Sequence, residues 1–252
     1  MVELQARTIH GGAVETLAPV GWRLRLPPGP AAQYRLAQLD DYMALPRRRF
    51  AWQAPFALSL QARLSHQDIP GTWGFGFWND PFNMSFGLRG AATRLPALPN
   101  AAWFFHASAH NYLSLRDDRP GHGLLAAVFQ SVRVPSILLV SGLPALPLLA
   151  LPPAARLLRR MARWLVKDDA GCPAIDVTAW REYRIQADRA GVRFTLDGAP
   201  VFETSLVPRG RLGLVIWIDN QFAALPPSGS VRFGALPAGQ PAWLEVRQMR
   251  FS

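Results

Sequence analysis

The 252-residue chain has one cysteine, Cys172, and one lysine, Lys167. A single thiol excludes a disulfide framework and a zinc site built on cysteines. Charge is scarce: 17% of residues are Asp, Glu, Lys or Arg, against 50% hydrophobic. That balance excludes an intrinsically disordered chain. The five glutamates, Glu3, Glu15, Glu182, Glu203 and Glu245, each stand alone. Long runs without a helix breaker are few. The 23 Pro and 20 Gly are spread along the chain and argue against long helices as the main architecture. Residues 1–7 carry no apolar run behind a basic residue, so no secretory signal is expected. With the lone thiol, the expectation is a cytoplasmic protein, with membrane association left open.

What is present is arginine and alternation. The 27 basic and 17 acidic residues give a net charge of +10. Such a balance suits nucleic acid, anionic lipid or an acidic substrate. Arg47-Arg48-Arg49 lies apart from the other arginine cluster, at 156–163, and no nucleic-acid motif accompanies either. No nucleic-acid partner is therefore expected.

From Phe56 the pattern is that of half-buried strands. Phe56, Leu58, Leu60, Ala62 and Leu64 alternate with Ser59, Gln61 and Arg63. Further strands are expected at 72–80 and 103–115, while residues 1–50 read as irregular. In the last third, 180–188, 192–196, 201–205, 212–219 and 243–251 all alternate, and Asp197-Gly198 signals a hairpin. Many strands with short turns mean a sandwich or barrel of up to the full 252 residues as one domain.

One segment, roughly 130–170, breaks this pattern. No charge occurs between Arg133 and Arg156, and five prolines there argue against a continuous membrane-spanning helix. Residues 154–167 then read as a basic amphipathic helix. Leu157, Leu158, Met161, Trp164 and Leu165 share one face; Arg156, Arg159, Arg160, Arg163 and Lys167 share the other. The segment is expected to be an inserted hairpin and helix. Two roles fit it: a lid with its apolar face packed on the sandwich, or a contact with an anionic membrane. The lid is the preferred expectation, with Leu157 and Trp164 buried and Arg159, Arg160 and Arg163 in water.

Three runs carry a resemblance: Trp180-Arg181-Glu182-Tyr183-Arg184-Ile185, Gly191-Val192-Arg193-Phe194-Thr195-Leu196-Asp197-Gly198 and Leu212-Gly213-Leu214-Val215-Ile216-Trp217. Together they resemble the concanavalin A-like jelly roll, as in family-16 glycoside hydrolases and laminin-G-like domains. The resemblance covers 176–219 well and 54–80 loosely. It implies an all-β jelly roll of two curved antiparallel sheets with a ligand groove on the concave one. It does not extend to the E-x-D-x-x-E strand of family-16 enzymes, which this chain lacks. Retaining glycosidases need two carboxyls about 5–5.5 Å apart, so standard family-16 hydrolysis is not expected.

Alternation places the groove. On 72–80, Trp73, Phe75 and Phe77 suit the core, leaving Thr72, Gly74, Gly76, Trp78 and Asp80 opposite. On 212–219, Leu212, Leu214, Ile216 and Ile218 suit the core, leaving Gly213, Val215, Trp217 and Asp219 opposite. Small residues beside a tryptophan and a carboxylate can hold a sugar or another flat ligand. The same residues also suit plain strand ends. His106 and His110 share a face of 103–112 and are acid–base candidates beside Asp80 or Asp219. The ligand-binding set is thus Trp78, Asp80, His106, His110, Trp217 and Asp219, with a glycan or small apolar ligand as partner. Whether any of them is catalytic is left open. The acidic turn Asp117-Asp118 could hold a hard cation or be a turn only; no metal and no cofactor is assigned.

Overall fold

The computed structural model describes residues 3–81, 92–119 and 121–252. Two seven-stranded antiparallel sheets form an all-β jelly-roll sandwich. In spatial order the first sheet runs Gln5–Ile9, Leu36–Asp40, Gly213–Asp219, Thr72–Trp78, Ala101–Ala107, Gly123–Ser131, Val166–Gly171. The second runs Ala199–Thr204, Val192–Leu196, Arg181–Ala187, Phe56–Leu64, Ala242–Phe251, Gly21–Leu26, Ala13–Leu17. A separate hairpin joins Gln221–Ala224 to Arg232–Ala235.

The core follows from alternation. Phe56 to Leu64 buries every second side chain against Trp73, Phe75 and Phe77 of the facing sheet. Tyr183 meets Phe75 and Phe104 edge-on, each at 5.0 Å, and Phe104 meets Phe194 at 5.2 Å. Asp197 and Gly198 both take positive φ, as a two-residue hairpin turn of this kind requires.

Residues 1–50, expected to be irregular, contain four strands. Gln5–Ile9 and Ala13–Leu17 are edge strands with no fully buried residue, so no apolar face marks them. Leu36–Asp40 is buried on both faces, which removes the alternation that would reveal it. The run expected at 103–115 ends at Ala107; residues 108–119 leave the sheet and fold back over it.

The insertion is helical, not a hairpin. It forms helix α1 (Ser136–Ser141), a 3-10 stretch (Leu143–Ala150) and helix α2 (Pro152–Leu165). The two prolines that open α2 lose no helical hydrogen bond there. Val166 and Lys167, expected in the helix, belong to the next strand.

The orientation of α2 also reverses the lid expectation. Arg159 is 3% exposed, whereas Leu157 is 57% and Trp164 82% exposed. The surface beneath α2 explains this. It presents the carbonyls of Ser114, Leu115 and Leu225 and the carboxylate of Asp117, which guanidinium groups satisfy and leucines cannot. Arg159 and Arg163 turn inward to these acceptors, Arg160 stays exposed, and the apolar stripe is left outside.

Gly76 shows how tightly the first sheet is built. Its φ is +151°, and a Cβ there would sit 2.4 Å from the Ala102 carbonyl oxygen. Gly76→Ala should therefore lose about 1–3 kcal/mol of unfolding free energy. Urea denaturation of the two proteins measures it.

Candidate functional site

The face of the first sheet turned away from the core forms the site. On the middle strands that face carries Gly74 and Gly76, Val215 and Trp217, then Ala101, Trp103 and Phe105. The Trp217 ring lies over Gly74, where a Cβ would come within 2.7 Å of it. Trp103 packs on Phe105 at 5.4 Å, Trp217 at 5.5 Å and Trp78 at 5.7 Å. The result is a continuous aromatic floor.

A roof covers the floor. Residues 111–115 and 221–225 run side by side: the Tyr112 N–H donates to Ala223 O, and the Leu225 N–H to Tyr112 O, each at 3.0 Å. Asp168 ties the roof down by accepting from the Ser114 hydroxyl (3.1 Å) and the Leu115 N–H (3.0 Å). From outside, Arg159 donates to Ser114 O (2.7 Å) and Leu225 O (2.8 Å), and its guanidinium lies 5.3 Å from the Tyr112 ring centre. Between floor and roof lies a cavity of about 380 Å³. Its lining is mostly apolar, with Thr72, Asn111, Asp168 and Asp219 among the polar groups.

Asp219 is the polar feature at one end. Its Oδ1 accepts from the Thr72 hydroxyl (2.7 Å) and the Gln221 N–H (3.2 Å). The Tyr34 hydroxyl approaches Oδ2 at 3.4 Å. Trp217 Nε1 donates to Thr72 Oγ1 at 3.0 Å, so the indole is tied to the carboxylate through one hydroxyl. None of these donors is a cation. Burial pushes the Asp219 carboxyl up to about 7, against the smaller opposing effect of the hydrogen bonds. Burial, then the Asp219 charge, pushes the Tyr34 phenol well above its ordinary value.

The structure separates the other expected residues. Strand pairing sets Thr72 opposite Asp219 but Trp78 opposite Gly213. Trp78 is thus six residues along the sheet from Asp219, roughly 20 Å at the usual rise per residue. Both line the cavity, at opposite ends. Asp80 does not line it. It lies beyond Trp78, almost fully buried, with its carboxylate accepting from Arg94 Nη2 (2.5 Å) and Nε (3.0 Å).

His106 faces the core side, not the groove. It pairs across the strands with Trp73 and stacks on that ring at 5.5 Å. Burial pushes it down to about 4, so it is neutral near pH 7. His110 is exposed outside the cavity, 6.3 Å from the Phe222 ring that lines it. Neither histidine meets Asp80 or Asp219. The acidic turn is occupied by arginines: Asp117 pairs with Arg159 and Arg163, and Asp118 with Arg116.

Sequence reasoning missed Trp103, Phe105 and Phe129 of the floor and all of the roof. Ala101 to Ala107 carries aromatics on both faces, so its alternation does not say which face meets the ligand.

No family model matches the sequence, and no curated protein matches it. Among solved structures, a glycoside hydrolase family protein from Mycobacterium thermorestibile superposes with a TM-score of 0.52 at 14% identity, covering 95% of this chain and 79% of that one. A beta-1,3-glucanase from Mycobacterium marinum is similar at a TM-score of 0.45 and 11% identity, covering 100% and 91%. The first likeness establishes the fold, in agreement with the concanavalin A-like resemblance of 176–219.

Two measurements check this site. The folded-state value of Asp219 near 7 exceeds the ordinary 3.8. An acid raised in this way favours the folded state below about pH 4, and that advantage is lost as pH rises through 7. Asp219→Asn should unfold with wild-type stability at pH 4. At pH 8 it should be more stable than wild type, by on the order of 2–4 kcal/mol. Arg159→Met should speed amide hydrogen exchange in 111–115 and 221–225 while leaving the strands of the first sheet protected.

Proposed function

We propose that the chain is a ligand-binding protein that holds a short glycan or glycoside in the roofed cavity. The observation that carries this reading is the Trp217–Thr72–Asp219 linkage. It sets an aromatic plate and a fixed acceptor side by side. A sugar ring has an apolar face to lay on such a plate and hydroxyls to donate to such an acceptor. The similar fold of a protein described as a glycoside hydrolase family member supports the choice of ligand class. The roof favours a short ligand over a polymer laid along the sheet.

Binding suits the geometry better than hydrolysis by a carboxylate pair. Three cavity-lining aspartates lie on strands of this sheet. Asp168 and Asp169 are consecutive on the edge strand and point to opposite faces; Asp219 stands at the opposite corner, four strands from them. At about 4.8 Å per strand that alone is roughly 19 Å, against about 5–9.5 Å in glycosidases of either stereochemical class. The three strands between them, Thr72–Trp78, Ala101–Ala107 and Gly123–Ser131, bear no carboxylate.

Titration calorimetry with mono- to tetrasaccharides and aryl glycosides tests the reading. Trp217→Ala and Asp219→Asn should each weaken binding at least about tenfold, the equivalent of about 1.4 kcal/mol. Trp180→Ala, just before the second-sheet strand Arg181–Ala187, should bind as wild type. Unchanged affinity in both cavity variants, or binding of apolar compounds alone, would overturn it.

A further inference from the structure

We propose that the outer face of the 132–167 insertion docks on an anionic lipid bilayer. The surface is large and apolar where a soluble face is ordinarily polar. Ile137, Leu138, Leu148 and Leu151 are all more than half exposed, and Leu157 and Trp164 continue the patch along α2. At 100° per residue, Leu157 and Trp164 lie opposite Ala155 and Arg159, the buried residues of α2. The apolar stripe therefore points straight away from the protein.

Charge selects the occupant. No acidic residue occurs from 132 to 167. Arg156 and Arg160 flank the apolar stripe along α2, and Arg133 lies at the start of the insertion; all three are exposed and outside the ion pairs of the described residues. Apolar side chains flanked by free cations match the acyl boundary and the anionic headgroups above it. A second copy of this chain would bring the same cations against the first. Trp164, 82% exposed, has the amphipathic ring that settles at the headgroup level. Among the described residues no helix is long and apolar enough to cross a membrane, so the element lies in the interface plane.

The inward turn of the arginines gives this arrangement a structural cause. Arg159 and Arg163 are spent on Asp117 and on loop carbonyls, which fixes α2 with its leucines outward before any membrane is met. The docking face is thus preformed, and binding requires no refolding.

Flotation of the whole protein tests the proposal. Vesicles of phosphatidylcholine alone are compared with vesicles containing phosphatidylglycerol, at low and high salt. The wild type should float with the anionic vesicles, less so at high salt. The pair Leu157→Ser and Trp164→Ser should cut the bound fraction at least about tenfold, as should the pair Arg156→Glu and Arg160→Glu. These side chains are exposed, so thermal melting should match wild type and separate lost docking from lost folding. No flotation under any condition would overturn the proposal, as would variants that float like wild type. A wild-type dimer that Trp164→Ser converts to monomer would overturn it too, assigning the patch to a second copy. The proposal does not depend on the cavity: Trp217→Ala should float normally.

Discussion

The strand Thr72–Trp78 has large side chains on its inward face and, between Thr72 and Trp78, only glycines on its outward face, and the rest of the site depends on that asymmetry. Inward, Trp73, Phe75 and Phe77 fill the sandwich. Outward, Gly74 and Gly76 leave the backbone bare, and the neighbouring aromatics lie down across it. A Cβ at either position would meet main-chain oxygen at 2.4–2.5 Å, so no side chain fits without moving a strand. With no side chains at Gly74 and Gly76, the rings of Trp78, Trp103, Phe105 and Trp217 lean over the strand at 23–52° to one another.

A second constraint acts on charge. Arg94 and Asp80 pair at the Trp78 end in almost complete burial, and Asp41, beside the same region, accepts from Trp52 and from the Leu214 N–H. Asp219 has no comparable cation. It is solvated by hydroxyls and an amide, and burial raises its affinity for a proton. Burial also raises Asp40, and Asp41 to about 6, at the Trp78 end, so the contrast is between the cation-paired Asp80 and the raised Asp219, which lines the cavity.

Legibility in the sequence tracked how polar the outer face of each strand is. Arg181–Ala187 and Val192–Leu196 alternate charged and apolar residues, so their boundaries and inward faces were readable. The bare outer positions Gly74 and Gly76 and the ending Trp217-Ile218-Asp219 were readable for the same reason. Ala101–Ala107 was not, because Trp103 and Phe105 on one face are matched by Phe104 and His106 on the other. The partner Thr72 depends on register, which one sequence does not supply. The sense of α2 was beyond periodicity altogether. Spacing separates the apolar face from the basic one, but the acceptors that decide which is buried come from residues 114–117 and 225.

Arg159 deserves a mechanical description as well as an electrostatic one. Its guanidinium reaches acceptors on two separate segments of the roof, Ser114 and Leu225, while its backbone belongs to the insertion. It works as a latch: the two roof segments cannot part without pulling a buried cation from its acceptors, and the helix cannot lift without doing the same. The barrier to opening therefore sits on the far side of the roof from whatever the cavity contains. Loosening this one fastening would free both roof segments and the helix together.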